Sequence, residues 1–241
     1  MKRQFADLHL RLNIRDASAI SRITNRAKKM DYHLISIPST PDHKTETEEA
    51  KRVSNATKLD FATRIDLRPR TKNELLQQLR RLRRKFEIIC VYCENKEVAR
   101  QAAKDRRVDL LNFPLFDFRK RFFDRAEAEL ASNSLTAFEI DIKPLLFLNG
   151  PSRVRLLSYL RREVGIAKNY QVPIVISSGT NSEIELRKPR EMAIIASVFG
   201  MDETSALDSI SRIPMAMVNR NREKLDPGFV APGIHIVKRG N

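Results

Sequence analysis

The chain predicts an α/β fold built on a parallel sheet, and three observations carry that reading. Short apolar, β-branched runs recur along most of its 241 residues, and amphipathic helical stretches separate them. No Pro/Gly/Ser-rich linker and no internal repeat interrupts the alternation. A chain of this length can also bury one sizeable core. The expected organisation is one domain over residues 1–224 followed by an extended tail at 225–241. Right-handed crossovers curl such a sheet into a barrel or wind helices onto both of its faces. Periodicity alone leaves both outcomes open.

Strands are expected near residues 4–9, 33–37, 60–66, 87–92, 109–113, 136–142 and 172–177. Asp16 suits the cap of a helix on which Ile20, Ile23, Ala27 and Met30 share a face. The polar stretch from Ser39 to Glu49 reads as an exposed loop leading into a helix. Leu75, Leu76, Leu79, Leu82 and Phe86 mark a further helix, and Phe122, Phe123, Ala126 and Leu130 another. The longest helix runs from about Pro151 to Lys168 with Leu156, Leu157, Leu160 and Val164 inward. Pro173-Ile174-Val175-Ile176 is a buried strand closed by the turn Ser177-Ser178-Gly179. Pro189 suits a first helical position, Met192, Ile195, Val198 and Phe199 share a face, and Gly200 suits the exit. The Pro/Gly-rich tail from Asp226 carries Ile234-His235-Ile236-Val237, expected to lie along the body or pair with another chain.

Cys90 and Cys93 form a C-x-x-C in sequence but sit on a predicted strand. Residues three apart on a strand face opposite ways, so the two thiols are not expected to share a disulfide or a metal. They read as buried thiols of a reducing compartment. No apolar run is long enough to span a bilayer and the first residues lack a signal-peptide core, so a cytoplasmic location is expected.

Charge is the strongest compositional signal. Forty-five Lys+Arg against thirty Asp+Glu give a formal net charge of +15 and a pI near 10.2. Such an excess points to a polyanionic partner, with RNA or DNA first. Nine Lys/Arg and two acids fall between Arg64 and Lys85. Arg64, Asp66 and Arg68 alternate along a strand and its exit, so they face one side; Arg70 follows in a loop. Arg80, Arg81, Arg83, Arg84 and Lys85 read instead as the solvated side of a helix. Arg119 belongs to a basic cluster beside Phe116 and Phe118, and Lys143 and Arg220 complete the candidates. Arg187, Lys188 and Arg190 surround the predicted helix start at Pro189, where unpaired N–H groups and guanidinium forks suit phosphate.

The arrangement SSG…LRKPRE…A…FGM, with Phe5-Ala6-Asp7-Leu8-His9 and Phe138-Glu139-Ile140-Asp141 before it in the right order, resembles protein component 3 of archaeal ribonuclease P. The same family includes the thirty-kilodalton subunit of the eukaryotic enzyme. The similarity covers residues 2 to about 222. It implies a TIM-barrel-like, PHP-like fold and membership of the ribonucleoprotein that removes 5′ leaders from precursor tRNA. It implies that the RNA subunit performs the chemistry with Mg²⁺, that the chain binds no cofactor, and that precursor tRNA is met indirectly. It also implies a protein partner, component 2 of the particle, in a suggested dimer of heterodimers. Phe116, Phe118 and Phe122 are candidate contact points for it.

Asp7, His9 and Arg11 alternate on the first strand, where related PHP-type metal hydrolases carry an H-x-H pair. Here Arg11 puts a cation beside them, and only three other histidines exist, His33, His43 and His235. The expectation is an Asp7–Arg11 pair in the barrel mouth rather than a metal site. Glu139 and Asp141 share a strand face and are expected to brace Lys143 or Arg187. No nucleophile elbow, Walker loop or dinucleotide fingerprint is present. A stand-alone metal-dependent phosphoesterase and a general RNA-binding module are the rival readings.

Overall fold

Seven parallel strands lie side by side in chain order: β1 (Phe5–Asp7), β2 (Tyr32–Pro38), β3 (Asp60–Leu67), β4 (Ile88–Tyr92), β5 (Leu110–Asn112), β6 (Ala137–Asp141) and β7 (Ile174–Ser177). The computed structural model describes residues 3–114, 116–117, 120–231 and 234–235. Every predicted strand is present. No ladder joins β7 to β1; the ring closes just beyond their ends instead. Gly179 N–H donates to His9 O at 3.1 Å and Arg11 N–H to Thr180 O at 2.7 Å. The result is a seven-stranded β/α barrel, as the resemblance implied.

Side-chain alternation then divides the barrel into an outer and an inner set. Ile35, Phe61, Ile65, Ile89, Val91, Leu111, Phe138, Ile140 and Ile176 point outward into the large core beneath the helices. Inside, the lower layer is apolar: Ala6, Leu34, Ala62, Ile88, Leu110, Ala137 and Val175 meet Met217 and Val218. Three alanines in that layer leave room for a helix to plug the tube. Above them the inward positions turn polar, with Ser36, Arg64, Asn112, Glu139, Asp141 and Ser177 all buried.

Ten α-helices are assigned among the described residues: α1 (Ala17–Lys29), α2 (Lys44–Ala56), α3 (Lys72–Leu82), α4 (Lys96–Lys104), α5 (Arg125–Ser134), α6 (Lys143–Phe147), α7 (Gly150–Asn169), α8 (Pro189–Ser197), α9 (Glu203–Ser209) and α10 (Arg212–Leu225). Asp16 caps α1 by accepting from Ala19 N–H, and α7 spans the predicted longest helix. The plug residues Met217 and Val218 belong to α10. Three local expectations need correction. A 3-10 turn spans Pro41–His43 and helix α2 begins at Lys44, so most of the expected 39–49 loop is helical. Phe122 and Phe123 precede α5, which starts at Arg125 behind its N-cap Asp124, in a capping box with Glu127. Val198 lies one residue past α8 and is 49% exposed, so it leaves the buried face that Met192 keeps. In the tail, β8 (Phe229–Ala231) pairs antiparallel with β9 (Ile234–His235), and β8 lies against α10 of the barrel body. Ile236 and Val237 lie outside the described residues.

Cys90 and Cys93 take opposite sides, as strand alternation requires. Cys90 faces the barrel interior and Cys93 the outer core. Both are free, buried thiols.

Gly179 has φ +65, and a Cβ there would sit 2.8 Å from Asp141 Cβ and 2.9 Å from Asp141 Cγ. Gly179→Ala therefore combines a strained backbone with a clash against a buried side chain. It should lower unfolding free energy by about 2 kcal/mol or more. Gly165→Ala, inside α7 where a Cβ meets nothing within 4 Å, should raise it by about 0.5–1 kcal/mol. Urea midpoints of the two variants check both signs; equal midpoints would contradict the assigned closure geometry.

Candidate functional site

The polar upper layer is one connected network inside the barrel mouth. Arg64, fully enclosed on β3, forks onto Glu139 of β6, with Nη1 to Oε1 at 2.6 Å and Nη2 to Oε2 at 2.7 Å. Its Nε donates to Asp66 at 2.6 Å and its Nη1 also reaches Leu8 O at 2.6 Å. Glu139 accepts further bonds from Ser177 Oγ at 2.8 Å and Asn112 Nδ2 at 3.0 Å. His9 bridges the other carboxylates, with Nδ1 2.8 Å from Asp141 Oδ1 and Nε2 3.2 Å from Asp66 Oδ2. Arg11 donates to Asp141 Oδ2 at 2.7 Å and to Tyr92 Oη at 2.9 Å.

Three cations thus face three carboxylates, provided that His9 is protonated. Burial and the Arg64 charge oppose that protonation, but Asp141 and Asp66 outweigh them and push the imidazole up to about 9. Burial works against ionisation of Asp66, Glu139 and Asp141 as well. Arg64 and His9 nonetheless hold Asp66 and Glu139 below the usual carboxylate range, and His9 and Arg11 hold Asp141 there. Atoms of His9, Glu139 and Asp141 lie within 4.8 Å of one another, close enough for metal ligands. The guanidinium of Arg64 already occupies both oxygens of Glu139.

Around this neutral centre the rim is basic and aromatic. Arg68 lies over the Tyr92 ring at 4.1 Å. A cavity of about 280 Å³ is lined by Arg11, Arg68, Tyr92, Asn112, Phe116 and Lys120. A neighbouring one of about 180 Å³ joins Arg11 and Phe116 to Lys143 and Phe147. Phe116 is 67% exposed.

The family model for RNase P subunit p30 matches residues 4–226. The chain belongs to that family. It is 30% identical to ribonuclease P protein component 3 of Methanosarcina barkeri over 93% of this chain and 92% of that protein. Component 3 of Methanosarcina acetivorans is 33% identical over 72% of each chain. A chain in the cryo-electron-microscopy structure of an archaeal ribonuclease P with mature tRNA shares the fold, with a TM-score of 0.82 at 21% identity, covering 98% of this chain and 99% of that one.

For an RNase P subunit p30 family member, the placement of the predicted site residues is informative. Arg68 and Lys143 reach the mouth, although Lys143 is held by Glu185 at 2.7 Å and by Asn181. Arg70, Lys188 and Arg190 are exposed. Arg187 curls back so that its Nη1 donates to the carbonyls of Ile184, Glu185 and Leu186, while Glu191 takes the Lys188 N–H. Arg220 lies at the far end of the barrel beside Asp109. Arg119 and Phe118 fall outside the described residues. Arg64 needs correction: strand alternation turns it into the sealed interior, out of reach of any RNA phosphate. The expected Asp7–Arg11 pair also fails. Asp7 accepts from the N–H groups of His9 and Ser178, and Arg11 goes to Asp141. Glu139 and Asp141 brace Arg64, His9 and Arg11 rather than Lys143 or Arg187. Phe122 packs against the core. The rim members Arg11 and Phe147 were not selected from the sequence as RNA contacts, whereas Lys120 belongs to the basic cluster at 119–121; the strand-exit position of Arg11 was the available signal.

Protonated His9 stabilises the fold because its folded value exceeds the ordinary 6.5. That contribution is complete below about pH 6.5, disappears as pH rises through about 9, and amounts to about 3 kcal/mol. The depressed carboxylates act oppositely, and their contribution fades as pH falls below about 4. Urea denaturation should therefore show stability falling between pH 6.5 and 9, with that limb flattened in His9→Asn. A His9 imidazole resonance titrating near its ordinary value would refute the assignment.

Proposed function

We propose that this chain, a protein subunit of ribonuclease P by its family, serves the particle as an RNA-binding barrel with no chemistry of its own. One observation carries the reading: Arg64 takes both oxygens of Glu139, a member of the one cluster of close metal-type donors among the described residues. Both Glu139 oxygens and both Asp141 oxygens already accept from fixed donors. Arginine stays charged in proteins, so it cannot vacate that role by losing a proton. A divalent ion would have to displace a buried, doubly bonded guanidinium, at a cost of several kcal/mol. The reading accordingly assigns phosphodiester hydrolysis and its Mg²⁺ to the RNA subunit, and no cofactor to this chain.

The protein's part is electrostatic. Arg11, Arg68, Lys120 and Lys143 surround the mouth beside Phe116, Tyr92 and Phe147. Cations neutralise phosphates where RNA strands approach, and exposed rings receive unpaired bases. Arg70, Arg119, Lys188 and Arg190 extend the surface, and Arg187 shapes its loop. Precursor tRNA is met through the RNA, in the cytoplasm, and protein component 2 is the partner in a dimer of heterodimers. No helix among the described residues is long and apolar enough to cross a membrane.

Reconstitution tests the whole reading. The chain, component 2 and the cognate RNA should cleave precursor tRNA at Mg²⁺ concentrations where the RNA alone is inactive. Arg68→Ala with Lys143→Ala should lower that rescue and reduce the salt slope of RNA binding by about 1.5. Arg64→Ala should instead cost about 3–5 kcal/mol of stability. Phosphoester turnover by the purified chain with Mn²⁺, Mg²⁺ or Zn²⁺ and no RNA, abolished by His9→Ala, would establish the phosphoesterase reading in its place.

A further inference from the structure

The end of the barrel opposite the mouth carries charge that the fold leaves unmatched. Asp109 sits immediately before β5, buried at that end. Its Oδ2 accepts from Ile89 N–H at 2.9 Å and from Arg83; its Oδ1 accepts from Asn221 Nδ2 at 2.7 Å and from Arg220 at 3.5 Å. One carboxylate therefore anchors two arginines from α3's end and α10, and both of its oxygens are taken. Arg106, on the α4–β5 loop, and Lys224, on α10, are exposed beside them. Neither makes a salt bridge among the described residues, whereas Arg83 and Arg220 both do so with Asp109.

Of the neighbouring acids, Glu223 lies exposed on α10 with a partner of its own, and the others are engaged elsewhere. Asp60 and Glu87 are both held by Arg222, and Asp105 by Arg107. Partial burial and then the charges of Arg220, Arg83 and Arg106 depress the Lys224 ammonium, against the pull of Asp109. The field at this spot is thus positive even after its one buried carboxylate is counted. Such crowding disfavours the isolated fold, and an external polyanion relieves it.

We infer that Arg83, Arg106, Arg220 and Lys224 form a second RNA-phosphate surface at the N-terminal end of the barrel, separate from the mouth. This rests on the RNA-binding reading above and extends it to a different face. RNA is favoured over an acidic protein because the cluster supplies cations from three separate elements, while Leu135 is the one large, exposed apolar side chain just before β6 at this end. Protein interfaces centre on aliphatic and aromatic anchors, whereas phosphate tracks need only spaced cations. Surfaces at both ends let one barrel tie two RNA segments together.

The test uses the full chain with the RNA of ribonuclease P. Arg106→Ala with Lys224→Ala should reduce the salt slope of binding by about 1.5, while the melting temperature without RNA holds or rises. Because Cys90 and Cys93 are buried, a crosslinker can be placed selectively through Lys224→Cys or Arg68→Cys. In the assembled particle these two positions should reach different RNA segments. Wild-type slope and affinity in the double variant would overturn the proposal, as would crosslinking of position 224 only to a protein. If Arg68→Ala with Lys143→Ala binds like wild type while Arg106→Ala with Lys224→Ala does not, the mouth reading fails and this surface stands.

Discussion

A guanidinium sealed inside a tube of parallel strands constrains everything above the lower core layer. Arg64 projects from the middle of β3 into a space with no access to solvent, and it stays charged at any pH the fold survives. It is tolerable there only because Glu139 and Asp66 face it and Leu8 lends a carbonyl. Those carboxylates must in turn be satisfied, which accounts for Ser177 and Asn112 on Glu139 and for His9 on Asp66. Asp141 is tied in through His9 and Arg11. Six charged side chains from β3, β6 and the segment after β1 therefore stand or fall together. A buried pair of this kind adds little net stability over an apolar core, but removing one member strands the others.

The same network separates scaffold from function. Barrel enzymes place chemistry at the C-terminal mouth because open valences converge there. Here the mouth is filled by mutually neutral groups, and the net charge of +15 acts on the outside. Arg68 and Lys120 stand on the rim, each with an acid nearby, Glu94 at 3.7 Å and Asp117 at 3.8 Å. Exposed pairs like these are weak, so a phosphate can take the cation at little cost. The interior cations have no such freedom.

Much of this architecture was legible in the chain. The seven strands announce themselves as short, largely apolar runs, because a parallel sheet buried on both faces needs apolar residues on many positions. The opposite orientation of Cys90 and Cys93 follows from the two-residue strand period. Ser177-Ser178-Gly179 and Pro189 marked a strand exit and a helix start that are both present. Less visible were α4, α9 and α10. Their short or polar stretches owe their helical state to caps such as Asn95 and Asp202 and to docking on the barrel. The Asp7–Arg11 pairing failed because β1 ends at Asp7. Strict alternation stops there, and Arg11 swings to Asp141 across the ring.

Arg64, Asp66 and Arg68 mark where sequence stops and tertiary structure begins. Their spacing alone determined that all three share one side of a strand, and they do. Spacing carries no information about which side closes into the tube or how far each residue lies from its opening. Ring closure through Gly179 and Thr180 made that side the interior, enclosing Arg64 at mid-depth and leaving Arg68 on the rim against Tyr92. Alternation is a property of neighbouring residues along the backbone and can be read from order alone. Depth depends on partners such as Glu139, 75 positions away, which meet Arg64 only after the sheet has curled shut.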